Sequence, residues 1–114
     1  MTLTAGRILL GSILTLAGST GAVLAAQDAK KGEGVYTAQK CSMCHSIAGK
    51  GGKASALDGV GKKLSAADIK QWIVNPTEMT TKSKSTKKPP MPNKYSKLPA
   101  ADIDALVAYL AGLK

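Results

Sequence analysis

Two cysteines three positions apart, with a histidine directly after them, dominate this sequence. The segment reads Cys41-Ser42-Met43-Cys44-His45, and it contains both cysteines and the single histidine of the 114 residues. A chain of this length forms one small domain, and such domains are seldom stable without a cross-link, a metal or a cofactor. Phenylalanine is absent, and only one tryptophan and three tyrosines are present. We therefore expect the stabilising group to attach at this segment.

Three simple interpretations of the cysteine pair explain the chain poorly. A structural zinc site needs four ligands, and the sequence has no second pair of cysteines. A thioredoxin-like dithiol belongs to a βαβ unit, and no alternating β pattern is present. A disulfide between Cys41 and Cys44 would close too short a loop to organise the fold. The spacing C-x-x-C-H is instead typical of covalent haem attachment, in which both thiols form thioethers and His45 binds the iron.

A haem iron bound by His45 has a sixth coordination position. Met43 lies inside the attachment segment and cannot reach the opposite face of a haem. Met91 lies between Pro90 and Pro92, and prolines restrict the backbone so that the loop can present the thioether in one pose. Met91 is therefore the favoured distal ligand. Met79 is a less constrained alternative, and a lysine or no ligand at all are further alternatives.

The rest of the chain shows helical patterns. We predict one helix from Asp28 toward Gln39, one after Ser65 that ends before Asn75-Pro76, and one from Pro99 to the C-terminus. Gly32 and Gly34 weaken the first helix, and close packing against another helix would explain them. Residues 46–55 are too rich in glycine for regular structure. The predicted fold class is all-α, with three or more short helices wrapped around one covalently attached haem c.

Residues 1–26 have the pattern of a secretory signal peptide. They contain no acidic residue, a single Arg7, a short apolar run and a small-residue end at Ala22–Ala26. Cleavage would leave residues 27–114 as the haem domain. An uncleaved membrane anchor is the alternative, because the stretch from Ile8 to Ala26 is long enough to span a bilayer. Its glycines, serines and threonines make it only weakly apolar.

The charge of residues 27–114 comes from lysine. Fifteen lysines against seven acidic residues give a net charge of +8, with no arginine. Proteins that bind nucleic acids favour the bidentate arginine side chain, so this composition argues against nucleic-acid binding. Mobile lysine charges suit weak, fast docking on an acidic protein surface. Six lysines near Met91 are the candidates for such docking: Lys82, Lys84, Lys87, Lys88, Lys94 and Lys97.

The order of these features resembles the class I monohaem c-type cytochromes. The resemblance covers the chain after residue 26 and rests on the C-x-x-C-H segment, the later Pro-Pro-Met91-Pro and the C-terminal helix with Leu106-Val107-Ala108-Tyr109-Leu110. It implies the cytochrome c-like fold, in which the first and last helices cross closely. The family usually has an aromatic residue four positions before the first cysteine. Here Thr37 is in that place, and Tyr36 is expected to make the contact.

The resemblance also assigns roles to individual residues. It implies that Cys41 and Cys44 form the thioethers, with His45 as the proximal iron ligand and Met91 as the distal one. No proline follows the motif to accept a hydrogen bond from the histidine ring, so a backbone carbonyl within residues 54–59 is expected to do so. Two aromatic residues, Trp72 and Tyr95, are candidates for the haem pocket. The alternative for Trp72 is simple packing in the core. Tyr95 is a candidate to form a hydrogen bond with a haem propionate.

These features predict an electron carrier rather than an enzyme. We expect a monomeric periplasmic protein that moves single electrons between respiratory partners with acidic docking surfaces, such as an oxidase, a reductase or a dehydrogenase. Binding to a membrane would require that residues 1–26 stay attached. Two alternatives remain at this stage. One is a haem-based sensor or peroxidase-like enzyme with a labile sixth ligand, and the other is an anchored electron-transfer subunit of a respiratory complex.

Overall fold

Five α-helices and a small β-sheet form the described part of this computed structural model, residues 20–114. The helices are α1 (Thr20–Ala38), α2 (Val60–Lys63), α3 (Ala66–Val74), α4 (Pro76–Lys82) and α5 (Ala100–Ala111). The strands are β1 (His45–Ile47), β2 (Lys50–Gly51) and β3 (Ser55–Ala56), and short 3-10 helices occupy Cys41–Met43 and Tyr95–Lys97. The mainly helical architecture confirms the predicted fold class.

Helix α1 begins well before its predicted start. Its first residue is Thr20, and Asp28 lies inside the helix instead of capping it. Residues 22–27 are Ala-Val-Leu-Ala-Ala-Gln, a run without glycine or proline that lets the helix continue into Asp28. The prediction that Asp28 starts this helix is therefore wrong.

The predicted targeting segment, residues 1–26, lies mostly outside the described structure. Residues 1–19 are not described, and residues 20–26 belong to α1. No helix in the described part of the chain is both long and apolar enough to cross a membrane. The boundary between a signal peptide or anchor and the haem domain stays a prediction.

Helix α3 follows its sequence signals closely. The Ser65 hydroxyl accepts a hydrogen bond from the Asp68 backbone N–H at 3.1 Å, which caps the first turn. The helix ends at Val74, before Asn75 and Pro76 as predicted. A new helix, α4, begins directly at Pro76, because the first position of a helix needs no backbone N–H. The sequence pattern did not predict helix α4.

Helices α1 and α5 pack closely where they cross. A side chain at Gly32 would overlap the Ala105 backbone carbonyl and the Tyr109 Cβ atom, whereas Gly34 faces open space. The Tyr36 and Tyr109 rings meet edge to face, with centroids 5.8 Å apart. The predicted close crossing is confirmed, with Gly32 as the glycine that it requires. The predicted aromatic contact through Tyr36 is confirmed as well.

Further contacts support this crossing. The Lys31 ammonium lies 3.3 Å from the Asp102 carboxylate, and this ion pair joins α1 to the first turn of α5. Burial, with a smaller contribution from negative charge nearby, raises the pKa of Tyr36 to about 12. Burial first, and Glu33 second, also raise the pKa of Tyr109. Both phenols are therefore uncharged at neutral pH, as their positions between the helices require.

The small sheet corrects the prediction that residues 46–55 lack regular structure. Strand β1 lies in the centre, antiparallel to β2 and parallel to β3. Ala48 and Gly49 connect β1 to β2 with φ values of 52° and 77°. Two consecutive positive φ angles are typical of a tight type I′ hairpin, and glycine allows them at little cost. The glycines that argued against regular structure are thus what makes the hairpin possible.

Candidate haem site

A cavity of about 560 Å³ is lined by residues of α2, α3 and α5 and by the C-x-x-C-H segment. Its volume is within the range of roughly 300–1,000 Å³ that is common for cofactor pockets. Most of its wall is apolar. Seven aliphatic side chains contribute: Leu57, Val60, Leu64, Ile69, Ile73, Leu106 and Leu110.

Both cysteines line this cavity from the turn of 3-10 helix at Cys41–Met43. Lys40 precedes the turn in the left-handed conformation, and the Cys44 N–H donates to the Cys41 carbonyl at 3.2 Å. Both side chains are half-buried. Burial raises the pKa of the Cys41 thiol, whereas a reactive dithiol requires a lowered pKa. The environment therefore argues against thiol–disulfide chemistry.

The imidazole of His45 also lines the cavity, and one backbone carbonyl orients it. Its Nδ1 atom donates to the Ser55 carbonyl oxygen at 3.0 Å. Burial lowers the pKa of His45, and the hydrogen bond to Ser55 opposes that effect without cancelling it. With Nδ1 protonated in the neutral ring, Nε2 keeps its lone pair for a metal. The expectation that a carbonyl within residues 54–59 orients this histidine is confirmed.

The small sheet explains why Ser55 performs this role. His45 and Ser55 are paired residues of the parallel strands β1 and β3, so the carbonyl is held beside the ring by backbone pairing. Gly51 has a φ of 115°, and a side chain at Gly51 would overlap the His45 carbonyl. At Gly52 it would overlap the Met43 carbonyl. The glycine-rich segment can therefore lie directly against the attachment segment.

Met91 lines the same cavity as the cysteines and His45, and it is half-buried. It belongs to the Met91 loop, residues 83–94, which connects α4 to the 3-10 helix at Tyr95–Lys97. Pro89, Pro90 and Pro92 line the cavity beside it. Met79 lies in α4 and is not among the described residues that line this cavity. Of the two candidate methionines, Met91 therefore lies at the cavity and Met79 does not.

The two predicted aromatic pocket residues reach the cavity as well. Trp72 is half-buried and Tyr95 is buried, and both line the wall. The Lys94 ammonium lies 5.3 Å from the centroid of the Tyr95 ring, within the range of a cation–π contact. Burial raises the pKa of Tyr95, so its hydroxyl stays protonated and able to donate a hydrogen bond.

The six predicted docking lysines do not form a uniform group. All six are exposed, but the Lys82 ammonium pairs with the Glu78 carboxylate at 2.8 Å. Lys87 lines the cavity and donates to the Ala54 carbonyl at 3.3 Å. This contact links the Met91 loop to the segment before Ser55.

Sequence reasoning placed several wall residues on helices without assigning them to the site. Ile69 and Ile73 on α3, with Leu106 and Leu110 on α5, have the spacing of an apolar helix face. That spacing marks them as buried, but it does not say whether protein or cofactor covers them. Leu57 lies in a loop and Val60 is the first residue of the short helix α2, so neither belongs to a periodic apolar pattern in the sequence.

The residues of the cavity fit a covalently attached haem. Two thiols at the required spacing, a neutral imidazole and a thioether line one apolar space. Cys41 and Cys44 would hold the macrocycle, and the aliphatic wall would cover its faces. The donor set is also the one found in haem proteins that transfer electrons. The chain thus supplies an attachment site and a matching pocket.

Comparisons with known proteins agree with this interpretation. The family model described as Cytochrome c matches residues 29–114. No curated protein and no solved structure matched the chain. The family match extends over the cavity, the attachment segment and all three helices that border them, and Cys41 and Cys44 have the spacing of its haem attachment site. The chain therefore belongs to the cytochrome c family and carries a covalently bound haem c.

Proposed function

We propose that this protein is a one-electron carrier whose haem iron is bound by His45 and Met91. Membership of the cytochrome c family indicates electron transfer through haem. The observation that supports the ligand pair is the position of Met91, which lines the cavity together with His45, whereas Met79 does not. The His45 imidazole and the Met91 thioether would both bind the iron, and a thioether ligand would favour its reduced state.

The protein residues have separate tasks in this mechanism. The bound haem supplies the one-electron Fe(III)/Fe(II) couple. Ser55 holds the His45 ring in one tautomer and one orientation. The aliphatic wall would exclude water, and the prolines that line the cavity beside Met91 would restrict the backbone that carries its thioether. Such restriction would keep the cost of reorganisation on electron transfer small.

The setting of this activity belongs to the same proposal. Residues 1–26 would direct the chain to the periplasm and would then be removed. The mature protein would be a monomer. The six lysines of the docking set would attract the acidic surface of a redox partner. With His45 and Met91 as its protein ligands, the iron would have no open site for enzyme chemistry. Mass spectrometry of the protein isolated from the periplasm would identify the first residue of the mature chain.

Carbon monoxide binding tests the ligand pair. The haem-loaded wild type should show sharp low-spin bands when reduced, a weak ferric charge-transfer band from methionine–iron bonding, and no change with carbon monoxide. Met91→Ala should open the iron and bind carbon monoxide. Met79→Ala is the matched control and should behave as the wild type, because Met79 does not line the cavity.

Two results would contradict the proposal. Carbon monoxide binding by the reduced wild type would indicate an open or labile site, and the sensor or peroxidase-like alternative would then replace the electron carrier. Loss of the charge-transfer band in Met79→Ala, with the band retained in Met91→Ala, would assign the distal position to Met79.

A further inference from the structure

Lys87 makes a hydrogen bond that connects two separate segments of the cavity wall. Its ammonium donates to the Ala54 carbonyl oxygen at 3.3 Å, and both residues line the cavity. Within residues 20–114, this is the hydrogen bond that joins the Met91 loop to the segment of residues 45–59. Lys87 therefore connects the loop that carries Met91 to the part of the wall that carries His45.

The peptide group that accepts this bond takes part in a second one. The N–H of the same peptide group belongs to Ser55, and it donates to the Cys44 carbonyl at 3.2 Å. The carbonyl of Ser55 in turn accepts from His45 Nδ1 at 3.0 Å. A donor on the oxygen of a peptide group polarises its N–H and strengthens the bond that this N–H donates. Lys87 thus reinforces the bond that fixes the residue beside the His45 ring.

The backbone of Lys87 lies in a segment with few hydrogen bonds of its own. Residues 86–91 of the described chain form no backbone–backbone hydrogen bond. The Lys87 N–H instead donates to the Ser85 side-chain oxygen at 3.4 Å. A segment of this kind opens easily unless another contact holds it. The bond from Lys87 to Ala54 provides such a contact four positions before Met91.

We propose that Lys87 is a positioning residue that holds the Met91 loop in a fixed place relative to the Ser55 carbonyl beside His45. It acts on His45 through the peptide group between Ala54 and Ser55, and on Met91 through the loop backbone. This proposal rests on the proposed ligand pair, and it adds the contact that couples the two ligands.

The neighbouring lysines do not share this role. Of the six docking lysines, Lys87 is the one that lines the cavity in the described structure. Lys88, the next residue, is exposed, and it carries the same charge without the contact to Ala54. Water competes for the partners of a hydrogen bond near the surface, so the bond of Lys87 contributes little to the free energy of complete unfolding. Its effect is expected in local opening of the two segments that it joins.

Amide hydrogen exchange of the reduced, haem-loaded protein tests the effect on the His45 side. The exchange is followed by NMR, and the Ser55 N–H is the reporter, because it belongs to the peptide group that Lys87 contacts. Lys87→Leu removes the donor and the charge, and Lys88→Leu is the matched control that removes the same charge. Lys87→Arg restores both the donor and the charge.

The three variants should differ in a defined order. We expect the Ser55 N–H to exchange about tenfold faster in Lys87→Leu and less than about twofold faster in Lys88→Leu. Lys87→Arg should stay within about threefold of the wild type, because a guanidinium can donate to the same carbonyl. The His45 Nδ1–H should exchange faster in Lys87→Leu alone. Amides in the crossing of α1 with α5 should exchange at the wild-type rate in all variants, which separates positioning from global destabilisation.

Imidazole binding to the oxidised, haem-loaded protein tests the effect on the Met91 loop. Imidazole is the probe, because it can bind the iron only when the distal position is open. The apparent dissociation constant falls as the open fraction rises, so Lys87→Leu should bind imidazole about fivefold more tightly than the wild type. Lys88→Leu and Lys87→Arg should bind it with the affinity of the wild type.

Three results would overturn the proposal. Equal acceleration of Ser55 exchange in Lys87→Leu and Lys88→Leu would mean that charge, and not the contact, is responsible. Wild-type exchange in Lys87→Leu would mean that Lys87 does not hold this peptide group. Faster exchange with an unchanged affinity for imidazole would show that Lys87 does not couple the two segments.

Failure of the ligand pair itself would be recognised separately. Imidazole binding that is equally tight in the wild type and in Met91→Ala would contradict Met91 as the distal ligand. The Ser55 exchange rates do not depend on which residue binds at that position, so they would still decide whether Lys87 holds the peptide group beside His45.

Discussion

The crossing of α1 with α5 and the Met91 loop are stabilised by different means. The crossing is held by close backbone contact at Gly32, by the edge-to-face tyrosine rings and by the Lys31–Asp102 ion pair. In the Met91 loop, no backbone–backbone hydrogen bond of the described structure involves residues 86–91. The loop instead borders the haem cavity through its prolines and Met91.

The difference separates what protein contacts stabilise from what the cofactor stabilises. A segment without backbone hydrogen bonds has a low free energy of local opening unless a ligand holds it. The helix crossing needs no ligand, because protein atoms fill it. We therefore expect perturbations of the cofactor to act mainly on the loop, and perturbations of Gly32 to act mainly on the helices.

Removal of haem attachment should have the largest effect. In Cys41→Ala/Cys44→Ala the Met91 loop loses its covalently held partner, and tryptic cleavage after Lys84 and Lys87 should accelerate at least about tenfold. Mass spectrometry of the fragments over time measures this rate, and Ser42→Ala is the control that keeps both thioethers. Cleavage that stays as slow as in the haem-loaded wild type would show that protein contacts alone hold the loop.

The next largest effect is expected at the helix crossing. Gly32→Ala places a methyl group against the Ala105 carbonyl and the Tyr109 Cβ atom, and should lower the free energy of unfolding by about 2–3 kcal/mol. Gly34→Ala in the same helix meets open space and should raise it by about 0.5–1 kcal/mol. Urea denaturation of the haem-loaded variants measures both. The same sign of change in both variants would contradict the close-contact explanation.

A smaller effect concerns the pH dependence of the crossing. The pKa of Tyr109 is raised in the folded protein, so the folded state holds this proton more tightly than the unfolded state. Its contribution to stability is complete below about pH 10 and decreases as the pH rises above that value. Tyr109→Phe should therefore make the free energy of unfolding less dependent on pH above about pH 10. An unchanged slope would show that Tyr109 titrates normally.

Local signals predicted part of the fold well. Ser65 caps α3 and Asn75-Pro76 ends it, because a cap and a proline act within one turn of the helix. The same local logic failed at Asp28, where helix-forming residues upstream continue the helix past a residue able to cap it. It also failed at α4, where Pro76 starts a helix as readily as it ends one.

The site was predictable in its chemistry and less so in its geometry. The sequence directly specifies the chemical groups of the site, because the two thiols, the histidine and the methionine of the proline-rich segment are residue types at known positions. The choice of Ser55 as the carbonyl beside His45 depends on the pairing of β1 with β3. That pairing depends on a hairpin whose turn residues look like irregular loop in the sequence. Such an arrangement of distant segments has no periodic signal.

By itself, the sequence determined that a haem is attached at Cys41 and Cys44, that the domain is helical and that it is strongly basic. These properties follow from residue types, spacing and charge, which need no knowledge of long-range contacts. Only the tertiary structure decided that Gly32 rather than Gly34 meets α5, that Met91 rather than Met79 lines the cavity, and that Met43 is exposed. Each of these depends on which distant segments share a surface, and burial and contact are properties of the packed chain.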